Sequence, residues 1–478
     1  MLKKLKKALS QTGLLLGLIL LLALTLRLYR LDSPLADWHA FRQVDTASVT
    51  REYVKAEKID LLRPQYHDLS NIQSGLDNPK GYRMVEFPFV NGFLALILRQ
   101  WPNLDLVTVS RLASVLTSLG TLVLLFALVK ELSGLKTALL TALIYAILPY
   151  SVYYSRVVLP EPYFLFFSTL SIWQFYLFAQ SRKFGHYLFA CLGLALAALL
   201  KPFVVFLAPV YLIIIWQARQ KALWRDPRIY LLPVLAFAPM FWWREWIKNF
   251  PQGVPASDWL FNGNNIRLTP AWWRWLFYER LGKLFLGYFG LIFVFSNFWR
   301  RSRDFYFYGA WWLGVILYFV VIATGNVQHD YYQNLALPIV VISFARGLLL
   351  FYEKLKTKFA LALTLLVFSS SLYFAHQAVK GYFNVNHPEY VVAGQALDKL
   401  VDPQVLVIAP AMGDTQFLFQ TNRRGWPIGF EIEDKINKGA SIYVSSSYDW
   451  EAKALEEKYQ VLAKNSDYII IDLKAAKP

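Results

Sequence analysis

The chain has 478 residues, 56% of them hydrophobic and 17% charged, with a mean hydropathy of +0.36. A soluble chain of that length would carry more charge, so the composition excludes an ordinary globular protein and points to a polytopic membrane protein. The formal charge of +17 lies in short clusters between apolar runs, which reads as topology signals and contact with anionic lipid rather than nucleic-acid binding. Cys191 is the only cysteine, which excludes an internal disulfide and a cysteine metal cluster.

The opening "MLKKLKKALSQTGLLLGLILLLALTLRLYR" runs from basic to apolar with no small-residue cleavage site after it. It predicts an uncleaved first span at about 13–29, amino terminus in the cytoplasm. A polar first outer loop follows, about 30–106. Within it "EFPFVNGFLALILRQW" is apolar but short, and predicts a helix lying at the membrane interface. Further spans are predicted at about 107–129, 137–153, 163–178, 187–200, 203–216, 230–243, 284–298, 306–322, 335–351 and 359–375, about eleven in all.

Charge orients these spans. "KELSGLK", "SRKFGH", "ARQKALWRDPR", "RRSRD" and "EKLKTK" occupy alternate connections and carry the Lys/Arg excess of cytoplasmic loops. An odd span count then puts the first loop, the loop at about 244–283 and the carboxy-terminal segment outside. From about 380 the pattern changes. "HPEYVVAGQALDKLV" has helical periodicity, "QVLVIAP", "SIYVSS" and "DYIIIDL" are strand-like, and "DWEAKALEEKYQVLAK" is a polar helix. The expected division is a membrane domain over 1–379 and an extracytoplasmic α/β domain over 380–478.

The outer ends of the spans hold the polar residues that could do chemistry. "DWHAFRQVDTASVTREYV" sets His39, Arg42 and Asp45 three apart, on one slowly rotating helix face. The plain reading has Asp45 capping a helix and pairing with Arg42. "YSRVVLPEPYF" brings Arg156 and Glu161 to a span mouth, either as a local ion pair or facing a cavity. In "ALLKPFVVFLAP", Lys201 either snorkels to the interface or binds an anion. "TGNVQHDYYQNLALP" places His329, Asp330, Tyr331 and Tyr332 before a span; an aromatic belt explains the tyrosines but not His329 and Asp330. Carboxylates and cations at one membrane face suit glycosyl transfer: a carboxylate takes the acceptor proton and cations steady a departing phosphate. Asp45, Glu161, His329 and Asp330 are also of the types that ligate a divalent metal; the neighbouring cations suit phosphate better, so the expectation is no required cofactor, with a divalent metal at these four as the open alternative.

In this order and at these span ends, the motifs resemble those of the membrane C-type glycosyltransferases. The group in question is families 39 and 83, with the protein O-mannosyltransferases and the lipid A aminoarabinose transferase. "HAFRQVDTA" is similar to the first-loop acidic motif of bacterial members. "RVVLPEPYFLFF", "LLKPFVVFLAP" and "HDYYQNLALP" resemble the later motifs, and "EFPFVNGFLALI" the interfacial helix. One departure is Thr46, where the eukaryotic mannosyltransferases carry a second acidic residue. The resemblance implies inverting transfer of a hexosyl or pentosyl group from a polyprenyl-phosphate donor to an envelope glycan, lipid or protein at the outer face of a bacterial inner membrane. It implies Asp45 as the base. Glu161 is a second acidic residue, and His39, Arg42, Arg156, Lys201, His329 and Tyr332 bind substrate or phosphate. The alternatives are a flippase or transporter of lipid-linked glycan, and an O-antigen-ligase-like enzyme using the basic aromatic run "NIRLTPAWWRWLFYERLGK".

Overall fold

The computed structural model describes residues 2–218, 221–299, 302, 304–354 and 357–477. Arg219, Arg301, Arg303 and Lys356 of the basic connections lie outside the described residues, as do the side chains of the amino-terminal "KKLKK". The chain divides into two compact units. One is Met1–Leu31, Leu112–Trp243 and Ser257–Gly381; the other is Asp32–Arg111, Arg244–Ala256 and Tyr382–Pro478.

The first unit is helical, so that most of its backbone groups bond within their own segment. Among the described residues, three helices are long and apolar enough to cross a membrane: Leu106–Ser133, Asp330–Lys354 and Lys358–Leu400. Shorter apolar helices include Gln11–Arg27, Leu135–Ile147, Phe184–Leu200, Pro202–Gln217 and Phe305–Val321. Several expected spans are therefore shorter helical pieces, and proline is one cause. Helix Leu135–Ile147 stops before Pro149, the first residue of helix Pro149–Tyr154. Proline cannot donate to the carbonyl four residues back, which is that of Tyr145. Arg27, fully buried, takes the place of the missing donor. Its guanidinium donates to Tyr145 O at 3.0 Å, Ala146 O at 2.9 Å and Ser151 Oγ at 3.0 Å.

The second unit contains a five-stranded sheet: β1 (Leu406–Ile408), β2 (Gly425–Trp426), β3 (Ala440–Ser445), β4 (Tyr459–Lys464) and β5 (Ile469–Ala476), in the order β2-β1-β3-β5-β4. β2, β1 and β3 run parallel, and β5 is antiparallel to β3 and β4. The apolar runs supply both faces. Ile408, Tyr443 and Ile471 pack with Ala452 and Leu455, while Val407, Ile442 and Val444 pack with Leu397, Phe417 and Leu418. The sequence expectation needs one correction. The helix of "DWEAKALEEKYQVLAK" is only Trp450–Lys458, capped by Asp449 Oδ1, and "YQVLAK" is strand β4. The two-residue β2 also escaped the sequence, being too short to show periodicity.

The first loop completes this sheet. Asp68 pairs with Gly425 as a parallel bridge, Gly425 N donates to His67 O at 2.9 Å, Leu69 N donates to Gly425 O at 2.8 Å, and Leu69 joins the sheet's core. In the same loop helix Ala40–Lys55 packs on helix Phe89–Gln100 through Val49, Tyr53 and Ala95. Asn91 Nδ2 ties the two, donating to Thr46 O at 2.8 Å. Phe93 and Leu96 point outward, 62% and 59% exposed. This short amphipathic helix has the form the sequence predicts for an interfacial element.

Helix Leu337–Lys354 meets segment Leu291–Ser296 backbone to backbone at Gly347. A Cβ there would lie 1.8 Å from Phe293 O. Gly347→Ala must separate the two elements, at a cost of about 2 kcal/mol or more. The expected result is a clear fall in the thermal unfolding temperature of the detergent-purified protein; an unchanged temperature would show that the contact is slack.

Candidate active site

The predicted residues fall into two groups, one in each unit. In the second unit, helix Ala40–Lys55 begins after His39, whose φ of 56° turns the chain into the first turn. Asp45 therefore sits inside the helix, and the expected capping role is not what the structure shows. The expected Asp45–Arg42 pairing is also replaced: Arg42 forms an ion pair with Glu86 and donates to Thr46 Oγ1 at 3.2 Å. Asp45 is 2% exposed and takes its partners from elsewhere. Arg83 lies 2.9 Å from its Oδ2, Gln73 Nε2 donates to the same oxygen at 3.1 Å, and Thr415 Oγ1 donates to Oδ1 at 2.7 Å. Arg83 also donates to Gln73 Oε1, closing a triangle around the carboxylate. His39 keeps aromatic company, its ring 5.0 Å from Trp38 and 6.0 Å from Phe41.

Thr415 is held from its other side by His67. His67 Nε2 lies 3.2 Å from Thr415 O, and the ring is fully buried. Burial, with Arg51 nearby, holds the imidazole well below its usual range, so it is neutral and the N–H faces the carbonyl. The neighbouring Asp68 is lifted by burial to about 6, against the lowering effect of bonds from Ser70 and Tyr66. A second buried pair, Asp37 with Arg111 at 3.1 Å, is fixed by Gln43 Nε2 donating to Asp37 Oδ1 at 2.8 Å.

In the first unit, Glu161 starts helix Glu161–Ser181 and Lys201 closes helix Phe184–Leu200. They form an ion pair with side-chain exposures of 3% and 11%. Glu161 Oε2 is buried without a hydrogen-bond partner among the described residues. The Lys201 ammonium also lies over aromatic faces, 4.8 Å from the Tyr332 ring centre and 5.5 Å from that of Tyr331. His329 stacks on Tyr331 at 5.3 Å and meets Trp259 edge-on at 5.5 Å. Asp330, fully buried, accepts from the Tyr154 hydroxyl and lies 3.7 Å from Arg280. Arg156 Nη2 donates to Arg30 O at 2.6 Å.

The structure thus brings Glu161, Lys201, Tyr332 and His329 into one linked set, and seats Asp45 in another that sequence reasoning had populated differently. Arg83, Gln73, Thr415, Glu86, His67, Arg280, Asp37 and Arg111 were missed. A signal existed for Arg111, since an arginine inside an apolar run is costly unless paired, and for Arg280, which lies in the basic aromatic run. Among the described residues no three His, Cys, Asp or Glu side chains gather as metal ligands, so the metal reading of Asp45, Glu161, His329 and Asp330 has no ligand set there.

Comparison with known proteins places this architecture. The family model described as dolichyl-phosphate-mannose-protein mannosyltransferase matches residues 93–243. No curated protein matches the sequence. Among solved structures, the chain is similar to ArnT from Cupriavidus metallidurans bound to undecaprenyl phosphate. The TM-score is 0.62 and the identity 13%, covering 97% of this chain and 99% of that one. It is also similar to the archaeal oligosaccharyltransferase AglB from Archaeoglobus fulgidus, in complex with an inhibitory peptide and a dolichol-phosphate. There the TM-score is 0.60 and the identity 11%, over 91% of this chain and 69% of that one. The likeness is one of fold, and it bears out the resemblance read from the motifs.

Two predictions follow from the geometry. Lys201→Met strands the Glu161 carboxylate and should cost roughly 3 kcal/mol. Adding Glu161→Gln should recover a large part of that loss, as a double-mutant cycle on thermal unfolding would show; additive losses would mean the two are uncoupled. His67 has a lower pKa folded than unfolded, so the stability it preserves is complete above the unfolded value of 6.5 and is lost as pH falls below it. Wild type should therefore lose up to about 1.4 kcal/mol per pH unit more than His67→Gln below that point. Parallel pH curves for the two would contradict the buried neutral imidazole.

Proposed function

With the fold of the membrane C-type glycosyltransferases as premise, we propose that this chain is an inverting glycosyltransferase. It moves a sugar from a polyprenyl-phosphate donor to an envelope glycan, lipid or protein at the outer face of a bacterial inner membrane. The observation that carries this reading is the Asp45 carboxylate, buried and held from three sides by Arg83, Gln73 and Thr415. Undecaprenyl phosphate in ArnT and dolichol-phosphate in AglB support a donor of the polyprenyl-phosphate class.

The step is a single displacement. The acceptor oxygen bonds to the anomeric carbon as the bond from that carbon to the phosphate oxygen breaks. The acceptor proton passes to Asp45, and the polyprenyl phosphate leaves with the electron pair. Arg83 and Gln73 keep the carboxylate oriented, and Thr415, a rotatable hydroxyl, can yield its place on Oδ1 to the incoming acceptor. In the first unit, Lys201, His329 and Arg156 are proposed to bind the donor phosphate, with Tyr332 beside Lys201 and Glu161 setting the direction of the Lys201 ammonium. Arg42 acts through Glu86, and His39 shapes the start of the helix that carries the base. The amino terminus is cytoplasmic, the segment after about 380 is outside, and about eleven segments are embedded. No metal or other cofactor takes part in this scheme.

Mass spectrometry of envelope glycans from a strain lacking the protein should reveal a missing sugar. The wild-type gene should restore it, and Asp45→Asn, inserted to the same level, should transfer at least about a hundredfold more slowly in isolated membranes. Wild-type turnover by Asp45→Asn would remove Asp45 from the role of base.

A further inference from the structure

The parallel part of the sheet, β2-β1-β3, has a topological switch point. From β1 the chain crosses to β2 on one side, then to β3 on the other. In sheets so wound, ligands bind outside the carboxyl ends of the strands, where the two connecting loops part. Here those ends are the loops after Ile408 and Ser445. Three features gather there. Phe417, Tyr390 and His387 form a continuous ring stack, with centroids 4.3 Å apart at 14° and then 4.7 Å apart at 13°. The stack runs from core to surface: Phe417 is fully buried, Tyr390 half-buried and His387 exposed. Polar groups flank it. The Tyr390 hydroxyl interacts with Ser446 in the loop after β3, and Asp414, in the loop after β1, accepts from Gln416 N at 2.8 Å through Oδ1 and interacts electrostatically with both His387 and Asp45.

The place of Asp414 in the chain gives the site its meaning. The next residue is Thr415, whose hydroxyl donates to Asp45 Oδ1. A ligand held by Asp414 is held one residue along the chain from the hydroxyl that donates to the proposed base. The outer face of the exposed His387 ring, whose other face lies on Tyr390, suits with its polar neighbours one kind of molecule: a ring with an apolar C–H face and hydroxyls around its rim. We propose that the His387–Tyr390 stack, with Asp414 and Ser446, is an acceptor subsite that holds a pyranose ring. The inference rests on the transferase reading above and narrows its acceptor to a glycan or glycolipid sugar.

Binding can be read without transfer, so this subsite and the transfer reaction stand or fall separately. The probes are methyl α-mannopyranoside, methyl β-glucopyranoside and methyl β-galactopyranoside, with sorbitol as an acyclic control, in saturation-transfer difference NMR on the full chain in detergent. Saturation should reach the ring C–H protons of at least one pyranoside and exceed that of sorbitol. It should fall about fivefold or more in His387→Ala, checked to unfold at the wild-type temperature, and also in Asp414→Asn, which keeps the cap on Gln416 N but loses the charge. Equal saturation of sorbitol and all three pyranosides, or an unchanged signal in His387→Ala, overturns the proposal.

Discussion

The buried ion pair between Arg83 and Asp45 is the constraint on which the second unit turns. A carboxylate 2% exposed is tolerable only with a cation and hydrogen bonds around it. Meeting that need draws in three stretches far apart in sequence: the helix bearing Asp45, the Gln73–Arg83 strand of loop, and Thr415 beyond β1. Thr415 is in turn gripped at its carbonyl by His67, and the next residue, Asp68, extends the sheet at β2. One charged side chain thus ties the first loop to the carboxy-terminal sheet.

The same economy governs the first unit. Glu161 and Lys201 stand at helix ends, where a proline forces the backbone to break and a polar side chain can enter at least cost. The aromatic faces of Tyr331 and Tyr332 then give the Lys201 ammonium a second partner. Arg27 performs a similar service at the Pro149 break. At these two breaks the freed backbone and the buried charge satisfy each other.

What the sequence makes legible follows from this. Apolar runs, the short amphipathic helix at Phe89–Gln100, strands β1, β3 and β5, and the polar residues at span ends are local patterns and can be read locally. Glu161, Lys201 and His329 stand out in the sequence because a polar residue beside an apolar run is conspicuous. Partners were not legible. Arg42 lies one turn from Asp45 yet pairs with Glu86, while Asp45 reaches Arg83 and Thr415, because tertiary contacts decided both. His39 concealed the helix start, since no ordinary capping residue marks a left-handed entry. Strand β4 was hidden because "YQVLAK" continues a helical composition without a break until the backbone turns extended at Tyr459.

The way Leu69 sits in the sheet's core has a practical meaning. The segment after about 380 looks like a module that could be cut away, expressed alone or exchanged between relatives. It is not self-contained. Released from the first loop, it would expose the edge of β2 that Asp68 covers, lose a core side chain, and leave His67 and Thr415 without each other. The smallest fragment worth making is a stitched one, joining 32–111, 244–256 and 382–478, and any recombination between homologues must carry all three pieces together.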